Sequence, residues 1–175
     1  MAQPLPIGDM GPAQVTWDPD GTPVNFGPFK GPIELTASDE VNKIFEEGYG
    51  AAPVDAVFAG TVMELSMPMT RSTLQQLLTA LPGSSLNGGG DVLTISNKCG
   101  GNMYPDAKPV VIKPMVDNVA TAVKTKWTRV FKCYPFKAYS ITFSNSDQRV
   151  LQVKFMVFPS QESGEVGKYH SIGSI

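Results

Sequence analysis

Two spacings of apolar residues alternate along this 175-residue chain, and together they predict a β-rich fold with one helix. The longest strand signal runs from Val54 to Met69 in two phases: Val54, Ala56 and Phe58 before Gly60, then Met63, Leu65, Met67 and Met69. Side chains on a strand change face at every residue, so a shift from even to odd positions requires an extra residue or a bend. Gly60 is the natural site of that structural bend. Directly afterwards Leu74, Leu77, Leu78 and Leu81 recur at helical spacing and predict a helix over about 71–81. Thr70 or Ser72 offers an N-cap oxygen, Ser72 and Gln75 have capping-box spacing, and Pro82 with Gly83 ends the helix.

The remaining strand signals surround that unit. Ala13 to Asp18 reads as a first strand, followed by a Pro/Gly turn to Gly21; Val24 to Gly31 reads as a short strand or loop. Ile33 to Phe45 reads as a long strand, preferred over a helix from Ser38 because Val41, Ile44 and Phe45 are β-prone. Glu46, Glu47, Gly48, Tyr49 and Gly50 then form a hairpin tip that offers one large amphipathic side chain to a partner. A Gly-rich excursion over 82–109 carries one short strand, Asp91 to Ser96. It lacks the spacing of a phosphate-binding loop. Pro114 sends the strand Val110 to Val116 to a sheet edge. In Lys126 to Tyr134, Trp127, Phe131 and Cys133 form the inward set against Thr128, Val130 and Lys132. Ala138 to Ser144 and Arg149 to Phe158 make a hairpin around Asn145 to Gln148, with Leu151, Val153, Phe155 and Val157 on its buried face. The expected organisation is an extended arm over 1–12, one β-sandwich or barrel domain of two packed antiparallel sheets over 13–162, and a C-terminal arm over 163–175, draped on a neighbour or disordered.

Charge changes this picture by its distribution. Residues 1 to 70 hold ten acidic and two basic side chains, whereas residues 71 to 175 hold six acidic and twelve basic ones. A formal net charge of -2 argues against a strongly basic nucleic-acid binder, and the split favours head-to-tail self-association through unlike patches.

Candidate chemistry is sparse. The single histidine, His170, has no neighbour in sequence to orient it as a general base. Cys99 and Cys133 make neither a disulfide framework nor a zinc set, and reduced thiols in a cytoplasmic product are the expectation. The carboxylate pairs Asp39-Glu40 and Glu46-Glu47 would face opposite ways on a strand. A non-enzymatic binding or assembly protein without catalytic residue, cofactor or metal is the expectation, and no membrane insertion is foreseen. Trp17, Tyr49, Tyr104 and Trp127 leave open a carbohydrate- or receptor-binding sandwich with aromatic platforms.

The order of elements also carries a resemblance. A long strand and Gly-rich tip lead to P-V-D-A-V-F-A-G-T-V-M-E-L and T-R-S-T-L-Q-Q-L-L; a C-terminal hairpin ends L-Q-V-K-F-M-V-F-P-S and, after a spacer, S-I-G-S-I. This resembles the major tail tube protein of long, non-contractile-tailed bacteriophages over roughly Ile33 to Leu81 and Ala138 to Ile175, while the segment around Cys99 departs from the pattern. A tail terminator or distal-tail protein of similar fold is the alternative. The resemblance implies packed sheets flanked by a helix and homo-hexameric rings stacked head to tail into a tube for DNA passage. The protein would contact other tail proteins and reside in the virion tail after synthesis in the host cytoplasm. It also implies an inter-ring role for the loop Glu46 to Gly50, and a lumen wall for which Glu34, Asp39, Glu40 and Glu64 are candidates. Carboxylates there would keep DNA phosphates from sticking.

Overall fold

The computed structural model describes residues 12–70, 72–96, 100–142 and 150–173. All of the expected N-terminal arm but Pro12, together with Cys99, the turn Asn145 to Gln148 and the final Ser174 and Ile175, lies outside these residues. In chain order the elements are β1 (Ala13–Trp17), β2 (Val24–Phe26), β3 (Glu34–Phe45), β4 (Pro53–Met69), α1 (Leu74–Ala80), β5 (Ser84–Leu86), β6 (Leu93–Ile95), β7 (Lys108–Val116), β8 (Val119–Ala120), β9 (Thr128–Thr142), β10 (Val150–Phe158) and β11 (His170–Ile172). The fold is mainly β, antiparallel throughout, with a single α-helix among the described residues.

The strands form one sheet in the order β2-β1-β7-β9-β10-β4-β3. Its ends meet. The chain leaving β2 pairs first with β1 and then with β4, where Phe29 bridges Met69. Thr70 N–H donates to Pro28 O and Lys30 N–H to Pro68 O, both at 3.0 Å. The two packed layers of the sequence reading are therefore opposite walls of one closed sheet. Trp17 and Phe26 on one wall lie 5.5 and 6.0 Å, ring to ring, from Phe155 on the other. Around them Val15, Leu65, Met67, Val110, Val130, Cys133 and Val153 are buried. Burial pushes the Cys133 thiol far up, so it packs as a small apolar group, its S–H directed at Lys108 O.

Four details differ from the sequence reading. Thr73, rather than Thr70 or Ser72, caps α1: its Oγ1 accepts from Gln76 N–H at 3.2 Å while Gln76 Oε1 accepts from Thr73 N–H at 2.9 Å. Gln76 Nε2 also donates to Asn25 O at 2.6 Å, and this bond to β2 explains why the box forms one residue later. Pro114 does not mark an edge, because β7 lies between β1 and β9. Its position lies past the end of the β9 pairing, where its carbonyl accepts from Thr121 N–H across the β7–β8 hairpin, so the missing donor interrupts no β9 bond. Val130, assigned to the outward set, joins Cys133 in the core, because a register shift opposite Lys108 and Val110 lets an even and an odd position face inward; Phe131, assigned to the inward set, is buried outside that core cluster. Finally, described residues of the C-terminal segment return to their own barrel: His170–Ile172 pairs with β9, and Tyr169 Oη–H donates to Thr61 O at 2.8 Å. Buried Ser160 starts that return, exchanging backbone bonds with Lys168 and Gly167 at 2.8 Å.

Candidate functional site

A strand of seventeen residues is longer than this barrel, and β4 uses its surplus outside it. Beyond Thr61 the β3–β4 pair leaves the sheet as a two-stranded ribbon, about 20–25 Å long, made of Glu40 to Phe45 and Pro53 to Gly60. Glu47–Tyr49 closes it as a 3-10 turn, with Tyr49 N–H donating to Glu46 O and Gly50 at φ 63°. Glu46, Glu47, Gly48, Tyr49 and Gly50 thus sit together at the tip of a projecting arm, all exposed.

The phase shift in β4 coincides with a β-bulge. Glu40 faces Gly60 but Val41 faces Phe58, which leaves Ala59 as the extra residue; Gly60 has φ 151°. The bulge keeps apolar side chains on one face. Leu65 and Met63 point into the barrel, and beyond the bulge the same face continues as Phe58 and Ala56, joined by Val41, Lys43 and Phe45 from β3. What is core in the barrel becomes surface on the ribbon: Phe58 is 61% exposed and Phe45 56%. The opposite ribbon face mixes Ile44, Val57 and Val62 with Glu40 and Asp55. An isolated two-stranded ribbon is marginal in water, and this one shows apolar groups on both faces.

The four candidate lumen carboxylates divide between faces. Glu34, Glu40 and Glu64 share the outer face of β3–β4, where Glu64 lies 3.7 Å from Lys154. Asp39 belongs to the other face and accepts from Thr61 Oγ1–H at 2.8 Å. The outer edge of β3, residues 34–45, carries no partner strand among the described residues.

A second exposed region escaped the sequence reading. The β7–β8 hairpin turns at Asp117 and Asn118, both at positive φ, and shows Val116, Val119 and, just beyond it, Val123 to solvent. Beneath them Trp127 donates Nε1–H to Thr121 O at 2.8 Å, while Lys113 Nζ lies 4.2 Å and Lys124 Nζ 6.0 Å from its ring centre. The signal available in sequence was a Trp among lysines over residues 113–127, too scattered to stand out before the hairpin brought them together. Three antiparallel steps separate β4 from β7, so the ribbon and this basic hairpin leave the same end of the barrel. The sequence-level charge split does not sort these two patches to opposite ends.

The aromatic platforms do not assemble. Trp17 is core, Tyr104 stacks edge-on against Phe158 and accepts from Gln161 N–H at 2.7 Å, and Tyr49 stands alone at the ribbon tip. Among the described residues no group of three or more His, Cys, Asp or Glu side chains is placed to hold a metal ion, and no helix is long and apolar enough to cross a membrane. His170 lines a cleft of about 990 Å³ beside Ile33, Leu35, Ile112 and Ile172.

No protein-family model matches this chain, and no curated protein sequence matches it. Among solved structures, a chain of the anti-feeding prophage baseplate is 11% identical and aligns over 89% of this chain and 92% of its own, with a TM-score of 0.46. A chain of the anti-feeding prophage tube-terminating cap is 10% identical over 100% of this chain and 94% of its own, with a TM-score of 0.45. A chain in the extended-state sheath/tube terminator of an extracellular contractile injection system (PVC) is 11% identical over 89% and 94%, with a TM-score of 0.41.

Proposed function

We propose that this protein is a structural subunit of a phage-type tail that assembles into rings around a channel for DNA. The observation that carries the reading is the ribbon: a continuation of the core face of the barrel that shows Phe45, Phe58 and Val41 uncovered beside Lys43, and that a second copy would bury. The free edge of β3 supports it too, since ring closure between subunits would pair the backbone groups that a monomer leaves to solvent. The element order that resembles the tail tube proteins adds to this. In that reading the rings are homo-hexameric and stacked, and the tip Glu46 to Gly50 reaches an adjacent subunit. The face that holds Glu34, Glu40 and Glu64 repels phosphate along the channel.

Electron microscopy of the purified protein, with light scattering over a concentration series, tests the reading. Rings or tubes are expected; in assembled particles the protein should be among the most abundant components. A single ring's worth of copies per particle would instead make it a terminal cap of the tube. Absence from purified particles would overturn the assignment.

A further inference from the structure

We infer that the Lys113–Lys124–Trp127 patch is the receptor for the β3–β4 ribbon of a second copy of this chain. The inference rests on the ring-subunit reading and names the surface that the arm meets. Three observations match the two sides. First, the ribbon end carries the carboxylates of Glu46, Glu47 and Asp55 against the single ammonium of Lys43, and the patch carries the ammonium groups of Lys113 and Lys124. Both ammonium groups lie against one indole ring, 4.2 and 6.0 Å from its centre. Two like charges on a shared platform repel, and a carboxylate placed between them relieves that repulsion. The one acidic side chain of the hairpin itself is Asp117 at its turn.

Second, each side surrounds its charges with exposed apolar groups. Tyr49, Phe45 and Phe58 lie on the ribbon, and Val116, Val119 and Val123, each more than half exposed, lie around the patch. Such a contact buries apolar area in its centre and leaves the charges at the rim, where they set orientation and partner choice more than affinity. Third, among the described residues the ribbon tip, Lys124 and the three valines are exposed, with Lys113 and Trp127 half-buried beneath them, and nothing described covers either feature, so we take their union to be intermolecular. A contact between two different surfaces leaves each copy with one ribbon and one patch unused, which is what propagates a ring.

A benzophenone side chain introduced at position 49 is expected to cross-link to a peptide spanning residues 113–127 of another copy. Reversing one side, with Glu46→Lys and Glu47→Lys or with Lys113→Glu and Lys124→Glu, should weaken self-association about tenfold or more. All four changes in one chain should restore it, with circular dichroism showing each variant folded. Rings that form normally while the cross-link maps elsewhere would overturn this inference and leave the ring reading standing. Folded quadruple-variant protein that fails to regain association would also overturn it. A parent protein that stays monomeric at every concentration would count against both.

Discussion

At the scale of single residues, Gly60 separates two costs that are usually entangled. Its φ of 151° disfavours any L side chain, yet a Cβ built there meets no atom within 4 Å. The penalty is therefore conformational rather than steric. Gly60→Ala and Gly60→Val should both lose about 1–3 kcal/mol in urea unfolding, with similar values. A much larger loss for Val would show a hidden clash.

Glu162 gives the residue-scale pH prediction. Lys132 Nζ lies 2.6 Å from Glu162 Oε1, and that hydrogen bond, then the lysine charge, holds the carboxyl below its ordinary range. A carboxyl depressed by folding adds stability at pH above its unfolded value, about 4.3, and that addition disappears as pH falls through the lowered value in the folded state. NMR titration of Glu162 should show the lowered midpoint, and Lys132→Met should return it toward the ordinary glutamate range.

At the scale of elements, α1 has seven residues and relies on its attachments. Thr73→Ala should cost about 1 kcal/mol as a lost cap. Gln76→Ala should cost more, because the same side chain also bonds Asn25 O on β2. Equal losses in thermal or urea unfolding would show that the bond to β2 adds nothing.

The elements also show what the sequence made legible. The apolar rows Met63 to Met69 of β4 and Leu151 to Val157 of β10 alternate strictly, and each contributes an inner face, so both strands were readable from spacing. The helix was readable by its leucines but its start was not, since Gln76 is fixed by a β2 carbonyl some fifty positions earlier in the chain. Pro114 misled because its harmless place depends on where β9 stops, a non-local fact. The return of Tyr169 to Ile172 was hidden for the same reason: a short polar tail gives no periodicity, and its partner is a strand already in place.

At the scale of the whole molecule, the barrel satisfies itself and the ribbon does not. Changing Tyr49 and Glu46 together to Ala removes side chains that touch no core residue, so unfolding curves should be unchanged within about 0.5 kcal/mol. Assembly, read by electron microscopy or sedimentation, should nevertheless fail or slow. The legible part of the candidate site was the acidic tip. The basic hairpin became visible only once β7 and β8 folded Lys113 toward Trp127, and the division of Glu34, Glu40 and Glu64 from Asp39 needed the register with β4.

Ala59 makes the arm separable from the body in one more sense. It is the extra residue that the bulge accommodates between Gly60 and Phe58. Deleting it would set Phe58 next to Gly60 in a regular ladder, so Phe58 and Ala56 would keep their face while the bend and added twist of the bulge would be lost. Such a chain should fold with every side chain of the arm still on its own face, yet point the arm elsewhere: mixed with its parent, it should enter the parent's assemblies poorly. Equal incorporation would show that the bend is dispensable, whereas exclusion would make Ala59 the residue that aims the arm without contributing to its surface.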